Sequence, residues 1–271
     1  MAMSRVVSAE TLDGLAEHDP AALRSRRDLR RIHRAMGTRA VVRHALQRMT
    51  MPRDRTAPLR VLELGAGDGS LLLGVARSLS PQWRAVELTL LDRQDLVDRA
   101  TLEAYAKTGW NATSAVCDVL DWAAADRDPR LRGGPSPRWD LIVANLFLHH
   151  FEGAALNRLL GAIAARSDRV FACEPRRARL ALIGSHLVGA LGANSVTRED
   201  AVLSVHAGFR DAELSALWPA PAPAWALHEY PAGLFSHCFM AQRVAQRADG
   251  AGAARTHRRG SASPVAAAGP H

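Results

Sequence analysis

Val61-Leu62-Glu63-Leu64-Gly65-Ala66-Gly67-Asp68-Gly69 decides how this chain is read. Four strand-forming residues run directly into three glycines spaced Gly-x-Gly-x-Gly, and the apolar residues behind them, over 70–79, recur at helical spacing. Such glycines supply turn conformations that other residues resist and let a ligand come close to the backbone. A dinucleotide fingerprint would place its third glycine at 70, where Ser70 stands, with a pyrophosphate on the helix N-terminus. Downstream, short apolar runs alternate with amphipathic ones. Strands are predicted at 60–64, 85–91, 112–117, 141–144 and 169–173, and helices at 70–79, about 94–107 (closed by Gly109) and 153–165. This alternation predicts an α/β fold with a parallel sheet flanked by helices. A polar Pro/Gly-rich loop is expected at 126–138. After strand five come helical segments at about 177–191 and 198–207. A sixth strand is expected at 213–217, and a seventh at 234–243 as an antiparallel edge addition.

Upstream of the turn, Asp19-Pro20 reads as an N-cap and first helical residue, with Leu29, Ile32 and Met36 at helical spacing behind it. Gly37 and Thr38 stop and restart the helix. A second one runs from 38 to about 49 with Val42, Leu46 and Met49 inward, and Pro52 and Pro58 close the segment. Residues 1–58 are therefore expected to form a helical cap, 59–245 the main fold, and 246–271 a disordered tail without aromatic residues. With 48% apolar residues in a chain of 271, one packed domain with additions is expected. The apolar run 180–193 is too short to span a bilayer and the first residues lack a signal-peptide core, which predicts a cytoplasmic protein with no membrane span. Cys117, Cys173 and Cys238 are odd in number and widely spaced, fitting neither a disulfide framework nor a zinc site. Eleven arginines against Asp28 and Asp54 between residues 24 and 55 make a basic surface. It reads either as a solvated helix face or as attraction to nucleic acid, membrane phosphate or a coenzyme A thioester.

The stretch from Glu63 to Gly69 resembles the first motif of the class I S-adenosylmethionine-dependent methyltransferases, an acidic residue followed by Gly-x-Gly-x-Gly. The resemblance implies a Rossmann-like seven-stranded sheet, mostly parallel with an antiparallel last strand. It also implies S-adenosylmethionine as cofactor, lying over Gly65, Ala66, Gly67 and Gly69, with Glu63 organising the turn. Asp92 stands at the end of strand two, where a carboxylate can accept from both ribose hydroxyls. By resemblance it is the ribose ligand, with Arg93 beside it. Asp118 and Val119, after strand three, match the position that meets the adenine amino group, and Asn145 ends strand four beside the methionine portion. Either aspartate could instead cap the following helix or turn.

Asn145-Leu146-Phe147-Leu148-His149-His150-Phe151 and Cys173-Glu174-Pro175-Arg176 resemble the quinone and small-phenol branch of that family. Leu146 and Phe147 stand where enzymes that methylate amino groups of bases carry two prolines, which disfavours nucleic acid as acceptor. A hydroxyl acceptor must lose a proton, a task suited to histidine, and His150 is preferred over His149 as the base. Capping or packing is the alternative for both, as for His186 and His237. No histidine and acid cluster has metal spacing, so no metal is expected and a metal-dependent catechol mechanism is disfavoured. Residues 180–193, with Trp218 and Trp225, are read as a lid over a lipophilic or aromatic acceptor, or as a helix completing the core. The expected activity is O-methylation of a phenolic or polyketide-like hydroxyl on a small molecule. The rivals are C-methylation of a quinone or polyketide ring, NAD-dependent oxidoreduction (opposed by Ser70 and the lack of a Tyr/Lys pair), and a non-enzymatic protein binding nucleic acid or a partner. A homodimer stays open.

Overall fold

The computed structural model of the protein describes residues 3–49, 57–79, 83, 85–125, 138–219 and 225–244. Three helices come first: α1 (Thr11–Gly14), α2 (Pro20–Ala35) and α3 (Thr38–Arg48). Asp19 caps α2 by accepting from the Ala21 N–H, and Gly37, at φ 68°, makes the restart. Then follow β1 (Leu59–Leu64), α4 (Ser70–Leu79), β2 (Val86–Asp92), α5 (Arg99–Ala106), β3 (Trp110–Val116), α6 (Val119–Ala124), β4 (Leu141–Asn145), α7 (Gly153–Arg166) and β5 (Arg169–Pro175). The remainder is α8 (Arg179–His186), α9 (Ser195–Ala207), α10 (Glu213–Leu217), β6 (Trp225–Ala232) and β7 (Ser236–Arg243), with 3-10 turns at Leu148–His150 and Val188–Leu191. No helix among the described residues is long and apolar enough to cross a membrane.

The sheet order is β3-β2-β1-β4-β5-β7-β6. The strands β1 to β5 pair in parallel, and β7 runs antiparallel to both of its neighbours, as expected of a mostly parallel sheet with an antiparallel last strand. Successive residues of a strand face opposite sides, so each strand feeds two cores. Leu62, Ile142, Val170 and Ala172 pack with Leu156 and Leu160 of α7 on one side. On the other, Val61, Val143 and Phe171 pack with α4 and with Val42, Leu46 and Met49 of the cap. The cap is therefore part of the main core, and each of those three side chains contributes about 1.5–3 kcal/mol by its burial. The register sets Glu63 beside Leu90 and Val143, and Asn145 beside Cys173, so the carboxyl ends of β1, β2, β4 and β5 form one rim. Open α/β sheets bind their ligands at such a rim.

Several expectations are corrected. Residues 213–217 are helical rather than a strand, because the Glu229 carboxylate accepts from the N–H groups of Leu214 and Ser215 and so satisfies the first turn. The sixth strand is Trp225–Ala232. It takes the sheet edge, and β7 lies inside it. The helix expected from 94 starts at Arg99, where Asp98 caps it through the Thr101 N–H at 2.7 Å. The segment 177–191 is broken at Leu187, and α9 begins at Ser195 because Asn194 caps it. All three cysteines are free thiols. Apart from Arg138 the loop expected at 126–138 lies outside the described residues, as does the tail expected from 246.

Candidate active site

The glycine turn forms one end of a cavity of about 1150 Å³. Gly65 sits at φ 66°, and a Cβ there would lie 2.2 Å from the Phe147 ring. Gly65→Ala is accordingly expected to destabilise the fold by about 2–4 kcal/mol, combining left-handed strain with displacement of a packed ring, as read by denaturant unfolding. Gly67, at φ 55°, has open space where its Cβ would be, and its N–H donates to Asp92 Oδ2 at 2.8 Å. Gly69 is not in the cavity wall: a Cβ there would meet Leu90 at 3.1 Å, and its carbonyl accepts from the Tyr105 hydroxyl. Its place is in joining β1 to α4.

Ala66, Asp92, Arg93, Asp118, Val119 and Asn145 all line the cavity. Asp92 also accepts from the Gln94 N–H through Oδ1 at 3.0 Å, so the carboxylate organises two turns while each oxygen keeps a lone pair. Asp118 caps α6 through the Leu120 N–H, the capping role considered for it, and it also lines the cavity. Glu63 is buried at the cavity floor. Its Oε1 accepts from Asn145 Nδ2 at 3.2 Å, while Glu63 Oε2 and Asn145 Oδ1 have no partner. Burial, opposed by the Asn145 bond and aided by the charges of Asp68 and Asp92, pushes the Glu63 carboxyl up to about 8. Two buried acceptors without donors under a glycine turn fit a cationic donor such as an ammonium group.

Behind the histidine part of the wall, Glu174 is the last residue but one of β5. Its carboxylate accepts from the N–H groups of Phe147, Leu148 and His149 and meets His149 Nδ1 at 2.8 Å. His149 Nε2 faces Glu10 Oε1 at 3.3 Å, and burial of the ring is outweighed by Glu10 and Glu174, which raise His149 to about 9. His150 is more exposed, its side chain at 21% against 3% for His149. Its Nδ1 lies 3.3 Å from Asp13 Oδ2, and burial together with the neighbouring His149 charge pushes it down. Both rings line the cavity. His237 pairs with Glu229 at 2.9 Å and His186 is exposed on α8; neither lines it.

Glu10 and Asp13 were not singled out from sequence. They lie on a strap, residues 3–14, laid across the cavity. Arg5 donates to the carbonyls of Ala207, His149 and Phe151, and the Asp200 carboxylate accepts from the N–H groups of Thr11 and Leu12. Two arginines of α2 join this cover, Arg26 donating to Gln94 and Arg30 to Asp68. Ala181, Leu187, Val188 and Leu191 also line the cavity. Trp218 and Trp225 do not: Trp218 packs against Trp225 and Phe239 in the core behind α7.

No family model matches the chain, and no curated protein matches its sequence. Among solved structures, an O-methyltransferase family protein from Burkholderia thailandensis is similar at TM-score 0.52 and 14% identity, over 85% of this chain and 62% of that one. The chain thus spans less than two thirds of that structure's length. The CMeT domain of a citrinin polyketide synthase aligns at TM-score 0.46 and 15% identity, over 76% of this chain and 51% of the other. Magnesium protoporphyrin IX methyltransferase from Synechocystis PCC 6803 gives TM-score 0.45 and 13% identity, over 80% and 86%. At such identities the likeness is one of architecture. In strand order, in its antiparallel seventh strand and in overall superposition on the Burkholderia structure, the chain has the Rossmann-like fold of the class I methyltransferases.

Proposed function

We propose that the protein is an S-adenosylmethionine-dependent methyltransferase acting on a hydroxyl oxygen of a small lipophilic or aromatic molecule. One observation carries this reading: a single cavity runs from the glycine turn and Asp92 to the paired histidines. Its volume exceeds the roughly 300–1,000 Å³ of a pocket for one drug-sized ligand, which leaves room for donor and acceptor together. Asp92 would take the ribose hydroxyls, Asp118 and Val119 the adenine edge, and Glu63 with Asn145 the ammonium group. When bound, the sulfonium supplies a methyl group to the entering oxygen. The protein holds the two molecules together, excludes water beneath the strap and α8, and draws off the hydroxyl proton at the histidine end, where His150 is the more accessible ring. The apolar wall from Ala181 to Leu191 suits an aromatic or aliphatic acceptor. The O-methyltransferase description of the Burkholderia protein agrees with oxygen as the atom methylated. In this scheme the strap and α2, from the proposed cap of residues 1–58, cover the cavity, and the proposed domain 59–245 carries the transfer chemistry. A nucleic-acid face made of Arg26, Arg27, Arg30 and Arg31 is disfavoured, since Arg26 and Arg30 are engaged over the cavity.

Calorimetric titration with S-adenosylmethionine tests the reading. Micromolar binding is expected, and it should release protons. Glu63 titrates near 8 in the free protein, so at pH 7 it is mostly protonated. A cation beside it favours the carboxylate, which releases up to about one proton per site, seen by comparing buffers of different ionisation enthalpy. Glu63→Gln should abolish the release. The same shift has a stability sign: a carboxyl raised on folding stabilises below its unfolded value of about 4.5 and loses that contribution as pH climbs towards 8. A folded protein that ignores S-adenosylmethionine would sink the proposal. Product analysis with phenols and quinones then separates oxygen from carbon methylation.

A further inference from the structure

His149 and His150 are adjacent in sequence, yet their rings share one space, 4.2 Å between centroids, and Glu10 reaches it from 139 residues away. One ligand atom from each of Glu10, His149 and His150 lies within 4.8 Å of the others. The two rings are held alike. Glu174 stands on Nδ1 of His149 at 2.8 Å and Asp13 on Nδ1 of His150 at 3.3 Å. A carboxylate at Nδ1 keeps the proton there and leaves the Nε2 lone pair facing away, which is how metal-binding histidines are commonly oriented. The orienting groups are themselves fixed: Glu174 by three backbone N–H groups, and Glu10 by the Ser204 hydroxyl.

The His149 Nε2 to Glu10 Oε1 distance of 3.3 Å is the second observation. It exceeds the roughly 2.7–2.9 Å of a charge-assisted N–H to carboxylate bond. It does match the separation, about 3.3–3.4 Å, of two ligands each some 2.0–2.1 Å from a tetrahedral zinc ion. We propose that Glu10, His149 and His150 bind one divalent transition-metal cation, zinc or one of like preference, with the remaining coordination position open to the cavity. Two imidazoles and one carboxylate suit zinc, cobalt or iron; magnesium and calcium favour oxygen ligands throughout. The site revises the expectation that no metal would be found, and sequence could not suggest it because Glu10 is remote from the histidine pair. Its use, holding the acceptor oxygen as an anion at neutral pH with His150 then a metal ligand in place of a free base, rests on the methyltransferase reading; the ligand set does not.

Chelator-treated full-length protein would be titrated with cobalt(II), following the visible ligand-field bands, and then with zinc in competition. One equivalent of cobalt with the intense bands of a four- or five-coordinate site is expected, displaced by one equivalent of zinc. Glu10→Gln and His150→Gln should each weaken binding at least tenfold, and Asp13→Asn by less, while the exposed control His186→Gln binds as wild type. Melting curves of the metal-free variants establish that they are folded. If a ligand variant fails to fold, the wild-type stoichiometry and band intensity still decide. Absence of stoichiometric cobalt binding would overturn the site and leave a shared proton between His149 and Glu10 as its occupant. Binding that survives both ligand substitutions would overturn it equally. S-adenosylmethionine titration of the same metal-free preparation separates this outcome from failure of the methyltransferase reading.

Discussion

Asp92→Ala is expected to weaken S-adenosylmethionine binding about 100-fold or more while the protein remains folded. The carboxylate accepts from the Gly67 and Gln94 N–H groups and so holds the glycine turn against the end of β2. In the bound state it would take two ribose hydroxyls besides. Hydrogen bonds to a charged acceptor contribute about 1.5–3 kcal/mol each, so losing two of them accounts for that factor without counting the slackened turn. Asp92→Asn keeps one acceptor oxygen and should fall in between. Calorimetry alongside melting curves would read both affinity and fold. An unchanged dissociation constant in folded Asp92→Ala would place the ribose elsewhere and remove the main support for the donor pocket.

His150→Ala should lower kcat about 10²- to 10⁴-fold, with donor affinity near the wild-type value. The residue makes no hydrogen bond to Asp92 or the glycine turn, its Nδ1 partner is Asp13, and its side chain is partly exposed, so truncation leaves Asp92 and its two backbone bonds in place. His149→Ala should behave differently. Its ring is buried between Glu10 and Glu174, and removing it takes one hydrogen bond from the buried Glu174 carboxylate, which keeps its three backbone N–H donors, so a loss of about 1.5–3 kcal/mol in stability is expected beside any loss of turnover. Steady-state kinetics with denaturant curves for the two variants separates these outcomes. A His150→Ala enzyme with wild-type turnover would remove that residue from the reaction.

The difference between these histidines also marks where sequence stops being informative. The glycine turn, Asp92, Asp118 and Asn145 were legible because each stands at the end of a strand whose apolar run can be read locally, and a parallel sheet brings strand ends to one rim. The double histidine was legible as a pair. Its environment was not, since Glu10, Asp13 and Ser204 come from segments whose polar residues read as solvent-facing until the chain closes on itself. The misreading of 213–217 has the same cause. Glu-Leu-Ser-Ala-Leu alternates like a strand, and only a carboxylate from β6 turns it into a helix. The strand β6 itself escaped notice because, at the sheet edge and half exposed, it has no clear apolar alternation.

The strap that supplies Glu10 and Asp13 bears on the order in which the site is assembled. Its anchors, Asp200 and the carbonyls of Ala207, His149 and Phe151, lie between 144 and 202 residues along the chain from their partners. Closing so long a loop is entropically costly, and it is repaid only once α9 and the β4 turn already stand in place. The β–α units that carry the glycine turn and Asp92 are therefore expected to form before the strap closes over them. Held by a few hydrogen bonds and little buried apolar surface, the same segment is the natural one to loosen first. Ligands would then pass through an opening that costs far less than unfolding the sheet beneath it.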